Sequence, residues 1–218
     1  MSATDQARLD APLIAVVDDD DGARLSTEWL LESAGYRVLP FADGESFLAS
    51  RLLHRVTCVL LDMRMPGLSG LDVLEALAGR EDSPAVLVLT GHASIPTAVA
   101  AMKLQAADVI EKPYAHPALL GAVERALAIG ARARASRARK GEARALVDGL
   151  PERQRQVLTG MTRGRPNKII AWELGLSVRT VETYRAQLLD RLRVRSTAEA
   201  VRIALAAGLD RRAAPVHH

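Results

Sequence analysis

The sequence predicts an α/β domain built on a parallel β-sheet, followed by a small all-α domain. In residues 1–128, short apolar runs alternate five times with helical patterns, which is typical of a parallel sheet covered by helices on both faces. Residues 129–218 show helical patterns only. The charge also changes sign, because the first segment has 10 Lys and Arg against 18 Asp and Glu, whereas the second has 19 against 8. We therefore expect two domains, the second of which contacts a polyanion.

The elements of the first domain follow from apolar periodicity. Short apolar runs predict buried strands at 13–17, 36–39, 57–61, 85–89 and 107–110. Amphipathic patterns predict helices at 22–34, 43–53, 69–79, 95–104 and 116–128. The segment after the last helix is rich in Ala and Arg and lacks an apolar stripe, which predicts a solvated, helix-prone linker. The predicted boundaries are 11–128 for the α/β domain, 129–145 for the linker and 146–210 for the all-α domain.

The all-α domain contains a helix-turn-helix pattern. A first helix spans 150–164, with Pro151 in its first turn, where the missing N–H costs little. A second helix ends at about Leu174, Gly175 breaks it, and Ser177 caps a third helix. A helix, a tight glycine-containing turn and a capped helix form the pattern by which many proteins enter the major groove of DNA.

Polar side chains occur where the strands of the α/β domain end. Asp18 and Asp19 follow the first strand, Asp62 ends the third, Thr90 ends the fourth and Lys112 follows the fifth. In the flavodoxin-like strand order 2-1-3-4-5, strands 1 and 3 are neighbours, so the three aspartates converge at one edge. Three carboxylates without a nearby His or Cys predict a hard-cation site, and Mg²⁺ suits such a donor set.

The same edge has the groups required for phosphoryl transfer. A carboxylate such as Asp62 can act as a nucleophile and hold a phosphoryl group as a mixed anhydride. A metal ion and the Lys112 ammonium would stabilise the transferring charge, and the Thr90 hydroxyl could bond its oxygens. We interpret the other two aspartates of the run, Asp20 and Asp21, as solvated first-turn residues favoured by the helix dipole.

A helical wheel assigns the two faces of the third helix of the all-α domain. Val181, Leu188 and Leu192 form its core stripe, so the opposite face is available to DNA. On that face, Glu182 could accept a hydrogen bond from cytosine, and Thr183 or Ala186 could contact a thymine methyl group. Basic side chains, including Arg191 and Arg193, could contact phosphates. The predicted DNA-binding residues are Lys168, Arg179, Thr180, Glu182, Thr183, Arg185, Ala186 and Gln187.

The first domain resembles the response-regulator receiver domain of two-component signalling. The resemblance rests on "VVDDD", "LLDMRMPGLSGLDVL", "VLTGHAS" and "ADVIEKPY" and covers residues 11–128. It implies that Asp62 is the phosphoacceptor, Thr90 the switch hydroxyl and Lys112 the lysine that meets the phosphoryl group. It also implies that Asp18, Asp19, Asp62 and the backbone carbonyl of Arg64 bind Mg²⁺, and that Pro113 follows a cis peptide bond.

The second domain resembles the LuxR/FixJ/NarL-type DNA-binding domain. The matching segments are "ERQRQVL", "PNKIIAWELGLSVRTVETYRAQLLDRL" and "VRSTAEAVRIAL", and the domain order is similar to that of the FixJ/StyR branch. The resemblance implies four helices, with the third for recognition and residues 196–208 for dimer contact on DNA. It implies a histidine kinase, double-stranded promoter DNA, a second copy of the chain and RNA polymerase as partners. Dimerisation is expected through residues 95–112 after phosphorylation.

Three positions differ from the family pattern. Receiver domains usually have an aromatic residue three positions before the lysine, where this chain has Val109. Activation could then be transmitted through backbone movement or through Tyr114, and the sequence does not distinguish the two. In the second domain, Pro166 replaces a common serine, which is harmless at a helix start, and Tyr184 replaces a common histidine.

Other kinds of protein fit the sequence less well. A phosphatase of the haloacid-dehalogenase type would need an Asp where Arg64 stands, and a flavodoxin-like cofactor binder would not place an acidic rim near a phosphate. We therefore expect no enzymatic activity beyond phosphoryl acceptance on Asp62 and its autodephosphorylation. Cys58 is expected to pack as a small apolar residue. The histidines show no zinc spacing, and His217 and His218 fit either native residues or the remainder of a purification tag. Without a signal pattern or an apolar run of membrane length, the chain is expected to be cytoplasmic.

Overall fold

A computed structural model describes residues 11–80, 82–91 and 95–209. The chain divides into two compact units between Arg134 and Ala135. Two sets of residues discussed above lie outside the described residues. They are His92–Ser94, from the segment "VLTGHAS", and the pair His217 and His218. The predicted domain boundaries stay a prediction.

The first unit contains a five-stranded parallel sheet. The strands are β1 (Leu13–Val17), β2 (Arg37–Phe41), β3 (Cys58–Asp62), β4 (Ala85–Thr90) and β5 (Asp108–Glu111). Their order is β2-β1-β3-β4-β5, and every neighbouring pair is parallel. The predicted fold and strand order are confirmed. Because all strands run in one direction, their polar end residues share one edge.

Helices cover both faces of this sheet, as the alternating apolar positions require. They are α1 (Asp21–Ser33), α2 (Gly44–Leu48), α3 (Gly70–Leu77), α4 (Ile95–Lys103) and α5 (His116–Asp148), with a short 3₁₀ helix at Leu53–Arg55. Along β1, Ala15 belongs to one buried cluster and Ile14 and Val16 belong to the other. Each face of the sheet therefore has its own apolar core.

Two helices differ from the sequence prediction in length. The helix predicted over 43–53 ends at Leu48, and the chain then makes a 3₁₀ turn at Leu53–Arg55. The helix predicted over 116–128 continues to Asp148 and therefore passes through the predicted linker. No helix-breaking proline occurs between residues 118 and 148, and most residues there have high helix propensity.

The second unit is all-α, and its helices are short. They are α6 (Glu152–Thr162), α7 (Asn167–Leu174), α8 (Val178–Arg191) and α9 (Thr197–Ala206). Pro151 is the N-cap of α6 rather than a first-turn residue. Gly175 ends α7 in the left-handed conformation, with φ of 65°, which a residue with a Cβ rarely adopts. The predicted core residues of α8, Val181, Leu188 and Leu192, are buried in one apolar cluster.

Candidate functional site

The carboxyl edge of the sheet brings three of the predicted residues into direct contact. The Nζ atom of Lys112 donates to Oδ2 of Asp18 at 2.6 Å and to Oδ1 of Asp62 at 2.7 Å. Both carboxylates are largely buried, whereas the Lys112 side chain is 24% exposed. These residues come from the ends of β1 and β3 and from the loop after β5, as the strand order predicts. The ammonium thus separates two buried carboxylates that would otherwise repel each other.

The backbone around Asp62 fixes the direction of its carboxylate. Its Oδ2 accepts a hydrogen bond from the backbone N–H of Arg64 at 2.8 Å. The start of α3 passes so close that a Cβ on Gly70 would lie 2.4 Å from the Asp62 carbonyl oxygen. Only glycine allows that approach without moving the backbone that carries Asp62. One carboxylate oxygen therefore faces Lys112 while the other is held by the following loop.

Asp18 is held by the first turn of α1. Its Oδ1 accepts from the backbone N–H of Asp20 at 3.0 Å, and its backbone carbonyl accepts from Nη1 of Arg24 at 2.6 Å. Asp20 is the N-cap of α1, because its side chain accepts from the N–H of Ala23 at 2.7 Å. Asp21 is an exposed first-turn residue, as predicted, and it pairs with Arg24. The four-aspartate run thus combines a buried site residue with a helix cap.

A backbone hydrogen bond joins Thr90 and Lys112. The N–H of Lys112 donates to the carbonyl of Thr90 at 2.7 Å, and Thr90 is buried at the end of β4. The peptide bond between Lys112 and Pro113 is cis, as the resemblance implied. A movement of the Thr90 backbone would therefore be transmitted directly to Lys112.

The surroundings of Lys112 favour its charged form. Burial disfavours the ammonium, but the hydrogen bonds and negative charges of Asp18 and Asp62 outweigh that effect and raise the pKa of Lys112. The lysine therefore stays cationic at neutral pH.

Two of the predicted Mg²⁺ ligands, Asp18 and Asp62, share the Lys112 ammonium. Asp19, which follows Asp18 in the chain, is exposed. Within the described ranges, no group of three or more His, Cys, Asp or Glu side chains is arranged to hold a metal ion. The donor types still suit Mg²⁺, because each carboxylate oxygen has two lone pairs and the atoms at hand are all oxygens.

In the second unit, the predicted DNA-contact residues lie on and beside α8. Ser177 caps this helix by accepting from the N–H of Thr180 at 3.1 Å, as predicted. Thr180 itself is half-buried, and so is Arg185. The exposed members of the predicted set are Lys168, Arg179, Glu182, Thr183, Ala186 and Gln187. The hydroxyl of Thr183 donates to the Arg179 carbonyl at 3.0 Å, so its proton already has a partner within the helix.

Both units match known protein families. Residues 14–124 match the response regulator receiver domain, and residues 148–204 match the luxR family of bacterial regulatory proteins. The transcriptional regulatory protein FixJ of Azorhizobium caulinodans is 42% identical over 196 residues, which cover 90% of this chain and 93% of that protein. The chain is a response regulator. It belongs to the FixJ-like group, with a receiver domain and a LuxR-type DNA-binding domain.

Other relatives match this response regulator over most of its length. The tetrathionate response regulatory protein TtrR of Salmonella typhimurium is 38% identical and covers 87% of the chain, and the chain covers 90% of it. The solved structure of the response regulator StyR is 38% identical to this chain and superposes with a TM-score of 0.75. The match covers 89% of this chain and 98% of StyR. The crystal structure of full-length FixJ from B. japonicum is 39% identical to this chain, with a TM-score of 0.53. That match covers 91% of this chain and 98% of FixJ. These matches favour a regulator over the phosphatase and cofactor-binding alternatives.

The residue at the usual aromatic position of this response regulator packs as part of the core. Val109 is partly buried against the cluster that includes Ala101 and Ala106. Tyr114 packs against the cluster on the other face of the sheet, and its hydroxyl lies 3.0 Å from Oγ1 of Thr27 in α1. Val109 and Tyr114 therefore pack on opposite faces of the sheet.

Three side-chain hydrogen bonds in the DNA-binding domain were not predicted. Arg185 donates from Nη1 to Oδ1 of Asn167 at 2.6 Å and from Nη2 to Oγ1 of Thr197 at 3.0 Å, so it connects α8 with the starts of α7 and α9. Gln154, which is 4% exposed on α6, donates from Nε2 to Oε1 of Gln187 at 3.0 Å. These contacts link residues 12 to 33 positions apart, so no local sequence pattern could have indicated them.

Cys58 lies in the core of the receiver domain. It is fully buried, and burial raises the pKa of its thiol to about 12. The expectation that it packs as a small apolar residue is confirmed. Among the described residues, no helix is long and apolar enough to cross a membrane.

Proposed function

We propose that a histidine kinase phosphorylates Asp62 and that the phosphorylated regulator dimerises and binds promoter DNA through α8. The observation that carries this proposal is the contact of the Lys112 ammonium with both Asp18 and Asp62. It places a fixed positive charge beside the carboxylate oxygen that would attack phosphorus. Because the chain is a response regulator with a LuxR-type domain, a histidine kinase and DNA are its expected partners.

In the proposed reaction, a carboxylate oxygen of Asp62 attacks the phosphorus of a phosphohistidine. A mixed anhydride forms on Asp62, and the imidazole nitrogen leaves with the electron pair of the broken bond. The Lys112 ammonium stabilises charge on the transferred group, and the N–H of Arg64 orients the carboxylate. Mg²⁺ held by Asp18, Asp19, Asp62 and the Arg64 carbonyl would neutralise the phosphoryl oxygens.

Activation would then change the surface that includes α4. The Thr90 hydroxyl would bond the new phosphoryl oxygens, and its backbone contact with Lys112 supports a joint movement of the two loops. The side chains of Ile95, Val99 and Met102 on α4 are 80%, 46% and 55% exposed. Three adjacent exposed apolar side chains favour a contact with a second copy. A dimer would present two α8 helices to half-sites about one helical turn apart, where RNA polymerase could be engaged.

Light scattering of the full chain with Mg²⁺, with and without beryllofluoride, tests the first half of this proposal. We expect a monomer-to-dimer shift in the wild type and no shift in Asp62→Asn, which keeps the shape and removes the nucleophile. A radiolabelled acetyl phosphate assay should label the wild type only. Labelling of Asp62→Asn at wild-type level would place the phosphoacceptor elsewhere.

The DNA-binding half can be tested without knowing the operator. Fluorescence anisotropy with a random-sequence duplex should show an affinity that falls with salt by a log–log slope of roughly −0.9 for each phosphate neutralised. A slope near zero would contradict DNA binding by this domain.

A further inference from the structure

A second site candidate lies at the amino-terminal edge of the receiver sheet, at the end opposite Asp62. A cavity of about 360 Å³ opens there between the starts of β1 and β2, the segment before β3, and α5. Its walls include Leu13, Thr57 and Leu127, together with the guanidinium side chains of Arg37, Arg55 and Arg134. It belongs entirely to the first unit.

The charge of this cavity is opposite to that of the domain around it. Residues 1–128 have eight more acidic than basic side chains, yet the described residues of the cavity lining include three arginines and no Asp or Glu. Among the described residues, neither Arg55 nor Arg134 lies within 4.0 Å of a carboxylate oxygen. The guanidinium groups of Arg55 and Arg134 line one cavity and repel each other unless an anion or solvent lies between them.

The wall chemistry indicates which anions fit. Guanidinium groups bind carboxylates and phosphates with two parallel hydrogen bonds, whereas the Thr57 hydroxyl already donates to the Leu13 carbonyl at 2.9 Å. Leu13 and Leu127 supply an apolar wall beside them. A cavity of this size, lined by apolar side chains and a few polar groups, has the dimensions of sites for small organic ligands.

One wall of this cavity is formed by α5, the helix that leads from the receiver domain to the DNA-binding domain. Leu127 and Arg134 are seven residues apart on α5 and therefore lie on one face of the helix. Between them, Gly130 is buried, and a Cβ there would lie 3.3 Å from Cβ of Ala85 at the start of β4. The helix thus contacts the sheet closely at this point, and a ligand bound to Arg55 and Arg134 would connect it to the segment before β3.

We propose that this cavity binds a small organic anion with two or more carboxylate or phosphate groups, and that the bound anion holds residues 127–134 of α5 against the sheet. The site gives the regulator a small-molecule input that is separate from Asp62.

The test uses the full-length protein and benzene-1,3,5-tricarboxylate as the probe. Isothermal titration calorimetry is run without Mg²⁺, because carboxylates chelate it, and at constant ionic strength. We expect saturable binding by the wild type and weakening of about tenfold or more for each guanidinium removed in Arg55→Gln/Arg134→Gln. The matched control is Arg51→Gln/Arg132→Gln, which removes the same charge from neighbouring exposed positions outside the cavity lining.

Hydrogen exchange tests the effect on the helix. The probe should slow amide exchange within residues 127–134 in the wild type and in the control, and it should have no effect in Arg55→Gln/Arg134→Gln. Absence of saturable binding by the wild type, or equal weakening in both double variants, would overturn the site. Binding without protection of residues 127–134 would overturn the proposed effect on α5.

Discussion

Nζ of Lys112 lies 2.7 Å from Oδ1 of Asp62, although 50 residues separate them in the sequence. The same ammonium contacts Asp18, so one cation holds two buried carboxylates at the edge of the sheet. This contact leads to a prediction about stability as well as chemistry.

Replacement Lys112→Ala should destabilise the receiver domain in Mg²⁺-free buffer by about 1–3 kcal/mol, because it leaves two buried carboxylates without their hydrogen-bonded cation. Urea unfolding of the full chain measures this change. Added Mg²⁺ should restore more stability to the variant than to the wild type, since it can replace the missing charge. Lys103→Ala removes an exposed lysine from α4 and should change stability by less than about 0.5 kcal/mol. Equal effects of the two variants would contradict the role given to the Lys112 contacts.

We expect the contact between Tyr114 and Thr27 to stabilise the receiver domain but not to transmit activation. Tyr114→Phe should lower the free energy of unfolding by about 0.5–1.5 kcal/mol, because it removes one part-buried hydrogen bond. Thr27→Val should cost more, because it also removes the hydrogen bond from Oγ1 of Thr27 to the Ala23 carbonyl at 2.8 Å. The double variant should cost less than the sum of the two, as in a double-mutant cycle. We expect backbone movement through the hydrogen bond between Thr90 and Lys112 to transmit activation, so beryllofluoride should still shift Tyr114→Phe from monomer to dimer. Loss of that shift would assign the transmission of activation to Tyr114.

Lys168 and Arg185 should affect DNA binding in different ways. Lys168 is exposed at the start of α7, so Lys168→Ala should leave the thermal midpoint unchanged and reduce the salt slope of DNA affinity by about 0.9. Arg185 contacts Asn167 and Thr197, so Arg185→Ala should lower the thermal midpoint of the DNA-binding domain as well as its affinity. Calorimetry and anisotropy on both variants separate the two effects. An unchanged midpoint in Arg185→Ala would mean that its internal hydrogen bonds contribute little.

Cys58 should be unreactive in the folded protein. Because burial raises the pKa of its thiol to about 12, the nucleophilic thiolate is scarce at pH 8 and the sulfur is not accessible. Iodoacetamide should therefore leave the native chain unmodified and label it once it is unfolded in guanidinium chloride. Mass spectrometry of the intact protein measures both results. Rapid labelling of the native chain would show that the core around β3 opens.

The sequence by itself determined those features that depend on local pattern and on strand direction. Apolar runs predicted the strands, and the parallel order placed Asp18, Asp62, Thr90 and Lys112 at one edge, because the carboxyl ends of parallel strands share an edge. Gly175 and Ser177 predicted the turn between α7 and α8, since backbone conformation and capping act over a few residues.

Only the tertiary structure decided which polar groups meet across long stretches of chain. Three features depend on how separate elements pack: the pairing of Gln154 with Gln187, the two contacts of Arg185, and the cavity lining shared by Arg37, Arg55 and Arg134. The sequence predicted a helix-prone linker, but only the structure showed that α5 continues through it to Asp148 as one helix, because the linker has no apolar stripe to position it. Local periodicity records which face of an element is apolar, whereas the partner of a polar side chain is fixed by packing between elements.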